Sequence, residues 1–179
     1  MGMRAEVRVE TATAMRDLGR RLARVLRAGD LVLLAGPLGA GKTTLVQGIG
    51  EGLGVRGPVT SPTFVIARVH PALAGGPALV HADAYRLASP AEVDDLDLDA
   101  SLGDSVTVVE WGGGLAEGLA ADRLEITIGR PSARPGGNPG EDPGEGDEPR
   151  TVRVTGAGPR WESAADSAGM AVRDGREAL

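Results

Sequence analysis

The stretch LLAGPLGAGKTTLV, residues 33–46, places a glycine-rich loop directly after a run of apolar residues. Residues 36–43 match the pattern G-x-x-x-x-G-K-[S/T], in which the glycines let successive backbone N–H groups face one concave site. The helix that follows adds its positive amino end, Lys42 can reach the β- and γ-phosphates, and the Thr43 hydroxyl can ligate Mg²⁺. The stretch therefore predicts a loop that binds phosphates.

The residues on either side of this loop predict the strand and the helix that the motif requires. Residues 31–36 form a continuous apolar run, which is typical of a strand buried on both faces. Leu45, Ile49 and Leu53 recur at four-residue spacing and predict a helix over 42–53, with Gly54 as its cap. This context favours a true phosphate loop over a glycine-rich turn.

Further strands and helices are expected along the rest of the chain. The alternation and apolar runs predict strands at 5–10, 64–70, 78–85, 105–111, 123–129 and 151–155. One helix should begin after Thr11 or Thr13 and continue to about Arg27. Another should begin at Pro90, since Ser89 can cap it and Glu92 stands three residues after the cap.

Composition excludes several classes of protein. The chain of 179 residues favours one domain with flexible additions, and its formal net charge of −6 argues against nucleic-acid binding through bulk electrostatics. No cysteine is present, which excludes disulfides and thiolate metal sites. No apolar run approaches the length of a membrane span, and the amino-terminal residues lack an apolar signal region, so we expect a cytoplasmic protein without a membrane contact.

Residues 130–150 differ from the rest, because they hold five prolines, five glycines and five acidic residues and no large apolar side chain. Such a segment cannot bury enough surface to offset its ordering entropy, so we expect a disordered insertion. The predicted organisation is a domain over 1–129, this insertion, a final strand over 151–158 that rejoins the domain, and a flexible tail over 159–179 that Trp161 could dock.

Two carboxylates stand where a metal site next to the phosphate loop requires one. Glu110 follows the apolar run VTVV, which is the Walker B arrangement with Glu in place of the usual Asp, and Asp83 also ends a predicted strand. Either acid could ligate Mg²⁺ through water or orient an attacking water. Residues 60–64, TSPTF, lie where a mobile switch is common, with three hydroxyls at Thr60, Ser61 and Thr63. We interpret His70 and His81 as core or surface histidines, and Tyr85 and Trp111 as packing residues of the core or its rim.

Missing motifs exclude the GTPases and the ABC ATPases and argue against a small-molecule kinase. A GTPase reads guanine with N-K-x-D, but the only asparagine, Asn138, lies in the acidic insertion. The LSGGQ signature of ABC ATPases is absent. A small-molecule kinase needs an arginine-rich lid, and the region of fitting length, 130–150, is acidic.

The motifs GPLGAGKTTLVQGIGEGLGV, VTSPTFVI, HADAYRL and VVEWG, in this order and spacing, resemble the TsaE family of bacterial phosphate-loop ATPases. The resemblance covers roughly residues 5–130 and the strand at 151–155. It implies a P-loop NTPase fold of the α/β class, with a mixed, mostly parallel central sheet flanked by helices. It also implies a role in the threonylcarbamoyl modification of adenosine 37 in tRNAs that read ANN codons.

The resemblance further implies a Mg²⁺-dependent ATPase that is weak alone, acts with the TsaB and TsaD partners and resets their complex by ATP hydrolysis, with at most indirect tRNA contact. Thr43 and Glu110 would hold the metal, Asp83 and Glu110 would be catalytic, and Thr60, Ser61 and Thr63 would form the switch. The nucleotide phosphates would be bound by Gly39, Ala40, Gly41, Lys42, Thr43 and Thr44.

The chain departs from the family pattern at Ala84, at Met15, where we expect Thr near the adenine, and in the insertion beside Arg150, an arginine that can reach the nucleotide in relatives. Two other functions remain open. A small-molecule phosphotransferase would use Asp83 as the base for a substrate hydroxyl. A nucleotide-dependent interaction module without hydrolysis would tolerate Glu110→Gln.

Overall fold

The computed structural model describes residues 4–62, 66–130 and 148–162. Within these ranges the strands are β1 (Arg4–Val9), β2 (Leu31–Ala35), β3 (Ala67–His70), β4 (Ala78–Asp83), β5 (Ser105–Glu110), β6 (Arg123–Gly129) and β7 (Arg150–Ala157). The helices are α1 (Ala12–Ala23), α2 (Lys42–Leu53), α3 (Pro90–Asp94), α4 (Leu98–Leu102) and α5 (Pro159–Glu162), with a 3₁₀ turn at Glu117–Leu119. No helix in this part of the chain is long and apolar enough to cross a membrane.

The strands form one mixed sheet in the order β1-β7-β6-β2-β5-β4-β3. The four central strands, β6, β2, β5 and β4, are parallel, whereas β1, β7 and β3 pair antiparallel at the two sides. The expected α/β class and mixed sheet are confirmed. Because the central strands are parallel, their carboxyl ends meet at one edge, which is where α/β proteins bind ligands.

Both faces of the central sheet are buried. Leu31 and Leu33 face one apolar cluster that includes residues of α3 and α4, and Val32 and Leu34 face the other, which includes α1 and α2. The continuous apolar run that predicted β2 therefore has a physical cause, since successive side chains of a strand point to opposite faces.

Helix α2 is locked against α1 by a close backbone approach. A Cβ added at Gly48 would lie 2.0 Å from the carbonyl oxygen of Arg16, so only glycine fits there. Around this contact the two helices bury Leu18, Leu22, Leu45 and Ile49, each worth about 1.5–3 kcal/mol relative to exposure. This packing fixes the start of α2, and with it the phosphate loop.

The largest differences from the predicted boundaries are at the end of α1 and at the start of β3. Helix α1 ends at Ala23 and not at about Arg27, because the Asp30 carboxylate accepts from the Arg27 amide at 2.8 Å and turns the chain. Strand β3 begins at Ala67, directly after Ile66, whose φ of 65° is left-handed; residues 64 and 65 of the predicted strand lie outside the described residues. The predicted caps Thr11, Ser89 and Gly54 are confirmed.

The carboxyl-terminal segments are described in part. Residues 131–147 of the predicted insertion and 163–179 of the predicted tail lie outside the described residues. The first residues of the tail form α5, in which Trp161 is fully buried and Arg160 stacks 4.3 Å from its ring centre. Arg160 also donates to the Val25 carbonyl at 2.7 Å and the Asp30 carboxylate at 3.2 Å, so α5 is anchored beside the end of α1.

Candidate nucleotide-binding site

The loop between β2 and α2 adopts a tight curl that depends on glycine. Gly41, the residue before α2, has a φ of 100°, a left-handed conformation that a residue with a side chain reaches only under strain. Its carbonyl accepts the first helical bond, from the Leu45 amide at 3.0 Å. The amides at the start of α2 therefore face the carboxyl edge of the sheet, as an anion site at a helix amino end requires.

Lys42, the only lysine of the chain, lies across this loop. Its Nζ donates to the carbonyls of Gly36 at 2.8 Å and Pro37 at 3.1 Å, and it sits 4.6 Å from the ring centre of Trp111. Burial lowers the pKa of the Lys42 ammonium below its ordinary value, while the carboxylates of Glu110 and Asp83 act in the opposite direction. A bound phosphate would place a negative charge next to this ammonium, which now donates only to neutral carbonyls.

Asp83 and Glu110 form what we call the acidic wall. They end the parallel strands β4 and β5 and are register partners, so they lie side by side at the carboxyl edge. Glu110 is only 4% exposed, and its Oε1 lies 2.8 Å from Nε2 of the fully buried His81. The Asp83 Oδ1 accepts from the Tyr85 amide at 2.9 Å and is more exposed than Glu110. The two carboxylates therefore have different surroundings.

The phosphate loop and the acidic wall enclose one pocket of about 590 Å³. It is lined by Leu38, Gly39, Gly41, Lys42, Thr43, Thr44, Ser61, Ile66, Asp83, Tyr85, Arg86, Glu110 and Trp111. Most of the site residues expected from the sequence are thus brought together. Ala40 is buried in the core behind the loop and does not line the pocket.

The predicted switch residues are only partly in place. Ser61 lines the pocket, whereas Thr60 is exposed and accepts a hydrogen bond from Arg68 at 3.3 Å. Thr63 lies outside the described residues.

The donor set suits a magnesium–nucleotide complex. Thr43, Asp83 and Glu110 present a hydroxyl and two carboxylates to the same pocket, and these hard oxygens are the ligands that Mg²⁺ prefers. Across the described ranges, no three histidine or acidic side chains cluster into an all-protein metal site. Mg²⁺ is typically held by one or two carboxylates together with substrate phosphates, so the residues present fit this ion when a nucleotide is bound with it.

Sequence reasoning gave two residues of the site no role in it. His81 contacts Glu110. The H-x-D spacing at the end of β4 could have indicated this, since residues two apart in a strand share a face and His81 therefore lies on the same face as Asp83. Trp111 has a left-handed φ of 59°, stacks on Lys42 and meets the Tyr85 ring at 5.5 Å. Nothing in the local sequence marks the left-handed conformation of a tryptophan.

The arginine that the sequence predicts to be near the nucleotide does not line the pocket, whereas another arginine lies beside the loop. Arg150 pairs with Glu148 at 3.0 Å and does not line the pocket. Arg130, at the end of β6, places its Nη2 3.3 Å from the position that a Cβ on Gly39 would take. Met15, the other departure noted in the sequence, is buried next to Gly41.

Comparison with known proteins gives one consistent result. The family model described as threonylcarbamoyl adenosine biosynthesis protein TsaE matches residues 9–135. The relative from Streptomyces coelicolor, a tRNA threonylcarbamoyladenosine biosynthesis protein TsaE, is 62% identical over 151 residues, which cover 84% of this chain and 95% of the relative. The relative of the same description from Bacillus subtilis is 38% identical over 137 residues, which cover 76% and 75%.

The structural comparison agrees. The crystal structure of YdiB from Bacillus subtilis superposes with a TM-score of 0.70 at 28% identity and covers 94% of this chain and 95% of that one. The family model spans well over half of the chain, and the Streptomyces coelicolor relative is aligned along nearly its whole length. The chain therefore belongs to the TsaE family of threonylcarbamoyl adenosine biosynthesis proteins.

Proposed function

We propose that this protein is a Mg²⁺-dependent ATPase that serves the threonylcarbamoyl modification of adenosine 37 in tRNAs that read ANN codons. The observation that carries the proposal is the convergence of Lys42, Thr43, Asp83 and Glu110 on one pocket at the carboxyl edge of the sheet. A phosphate loop alone would support binding only, whereas a loop that faces two carboxylates supports hydrolysis as well.

The proposed roles follow from the surroundings of each residue. Lys42 and the backbone amides of Gly39 and of residues 41–44 bind the phosphates, and Lys42 exchanges the Gly36 and Pro37 carbonyls for phosphate oxygens. The Ala40 amide instead donates to the Pro37 carbonyl at 3.1 Å. Thr43 and Glu110 hold Mg²⁺, which supplies neutralisation of the phosphate charge when it is bound. Asp83 is more exposed than Glu110, which supports Asp83 as the group that orients the attacking water.

The open mouth of the pocket supports weak turnover by the isolated chain. Leu38 is 90% exposed and Tyr85 69% exposed, and both line the pocket at its surface. An open site leaves water in contact with the reacting groups, which weakens the electrostatic stabilisation of the transition state. We propose that the TsaB–TsaD pair completes the site, and that hydrolysis resets this complex between rounds of modification.

The test is a reconstitution with purified components. ATP turnover is measured for this chain alone, for the TsaB–TsaD pair alone and for the mixture, and tRNA modification is followed in the same reactions. We expect slow turnover alone, stimulation in the mixture, and loss of both when Mg²⁺ is chelated. Turnover that the partners leave unchanged would contradict the proposal.

A matched control separates hydrolysis from binding. Glu110→Gln should still bind ATP and join the partners but should not support repeated rounds of modification. If this variant supports repeated rounds as well as the wild type does, the interaction module without hydrolysis is correct. If labelled phosphate passes from ATP to an added hydroxyl compound, the phosphotransferase is correct.

A further inference from the structure

A fully buried histidine lies behind the acidic wall. His81 stands two residues before Asp83 in β4, has no exposed surface, and places Nε2 2.8 Å from the Glu110 Oε1. An ionised carboxylate can only accept a hydrogen bond. With Glu110 ionised, as a metal ligand has to be, the Nε2 atom of His81 must carry a hydrogen and donate it to Glu110.

Packing does not explain this histidine. Its second ring nitrogen, Nδ1, is buried and has no hydrogen-bond partner within the described residues. A buried polar atom without a partner costs about 1–3 kcal/mol, a cost that an apolar side chain of similar size would avoid. Leu79, which lies on the same face of β4 as His81, and Val108, its register partner on β5, are both buried and apolar, so the surroundings suit such a side chain. The contact with Glu110 is what distinguishes histidine at this position.

The pair also affects the charge balance of the phosphate loop. Glu110 is close enough to Lys42 to act on its pKa, yet Lys42 donates to the carbonyls of Gly36 and Pro37. A Glu110 side chain without its histidine donor would be free to pair with Lys42. Such an ion pair would turn the Glu110 carboxylate away from the position in which it can bind the metal.

We propose that His81 is a positioning residue: its Nε2–H fixes one carboxylate oxygen of Glu110, so that the other is free to bind Mg²⁺. The inference rests on the proposed function, because it takes Glu110 as a metal ligand. Hydrogen bonds that orient ligating carboxylates matter in general, since removing them costs about 10–100-fold in metal affinity or activity.

The test measures nucleotide binding and not turnover. The affinity for ADP is titrated in EDTA and then over a range of Mg²⁺ concentrations, which gives the Mg²⁺ concentration at half-maximal enhancement. We expect His81→Leu to leave the affinity in EDTA unchanged and to raise this Mg²⁺ midpoint by about 10-fold or more. His70→Leu, which alters another buried histidine that does not contact Glu110, should leave the midpoint unchanged.

A second pair of variants covers the case in which His81→Leu does not fold. Glutamine places its amide nitrogen near the position of Nε2, whereas asparagine places it near that of Nδ1. His81→Gln should therefore keep the wild-type Mg²⁺ midpoint, and His81→Asn should raise it. Equal midpoints in the two variants, or a parallel loss of affinity in EDTA and in Mg²⁺, would overturn the role of His81.

A different set of results would contradict the proposed function. If the wild-type chain does not bind ADP at all, or binds it equally with and without Mg²⁺, the nucleotide–metal site itself is wrong. In the Glu110→Gln background, the substitution His81→Leu should have no further effect on the midpoint. A further increase there would show that His81 acts through another group and would also overturn the inference.

Discussion

The phosphate loop and the acidic wall face each other across one pocket, but they are built in different ways. The loop is a continuous run, residues 36–43, whose shape comes from its own backbone and from the start of α2. The wall consists of Asp83 and Glu110, far apart in sequence and adjacent only because β4 and β5 pair in parallel register. Local geometry therefore makes the binding half of the site, and sheet topology makes the chemical half.

This difference predicts that substitutions in the loop and substitutions in the acidic wall affect different properties of the protein. Changes in the loop should weaken binding whether or not Mg²⁺ is present. Changes in the wall should weaken turnover and the effect of Mg²⁺, and leave binding in EDTA intact. The predictions below test this separation, beginning with the largest effect.

Glu110→Gln should give the largest change, a loss of about 10²–10⁴ in partner-stimulated turnover, because it removes the carboxylate charge proposed to hold Mg²⁺, whose neutralisation of the transition-state charge is worth several kcal/mol. The affinity for ADP in EDTA should stay within about twofold of the wild type. Turnover is measured by phosphate release with TsaB and TsaD, and affinity by calorimetric titration. Glu117→Gln, a change at a half-buried position outside the pocket, is the control and should alter neither value.

Lys42→Ala should lower nucleotide affinity by about 10–100-fold, which corresponds to the loss of charge-assisted hydrogen bonds worth about 1.5–3 kcal/mol. The loss should be the same in EDTA and in Mg²⁺, since the lysine belongs to the loop and not to the wall. Arg123→Ala removes a cation at the start of β6, away from the pocket, and should bind normally. If Arg123→Ala lowered nucleotide affinity by the same factor, the loss in Lys42→Ala would result from the change in net charge alone.

The loop was more predictable from the sequence than the wall. The bounds of α2, from Lys42 to Leu53, follow from apolar spacing and from Gly54, both of which are local signals. The sequence also places Asp83 and Glu110 at strand ends, but their adjacency depends on a register between β4 and β5 that neither strand encodes by itself. The end of α1 was also missed. After this helix the Asp30 carboxylate accepts a hydrogen bond from the Arg27 amide, a side-chain contact that the apolar spacing does not reveal.

Trp111 joins the two halves, since its backbone follows Glu110 directly and its ring lies against Lys42. Trp111→Leu should weaken ADP binding by about two- to fivefold, because a cation–π contact is worth about 0.5–1 kcal/mol at a partly exposed site. Trp111→Phe keeps a ring and should fall between the wild type and the leucine variant. Calorimetric titration measures all three, and identical affinities would mean that the ring does not position Lys42.

The smallest effect should be a shift in the titration of Lys42, and it tests both halves at once. Burial lowers the pKa of this ammonium below the ordinary 10.5, so amine-selective acylation of the folded chain should reach half its maximal rate at a lower pH than acylation of the unfolded chain. The carboxylates of the wall oppose this shift, so Glu110→Gln should lower the midpoint further. Bound ADP should raise it, because its phosphates favour the charged form. Since the chain has one lysine, mass spectrometry can follow this site alone with the terminal amine as reference. A midpoint that Glu110→Gln leaves unchanged would mean that loop and wall are electrostatically independent as well as separately built.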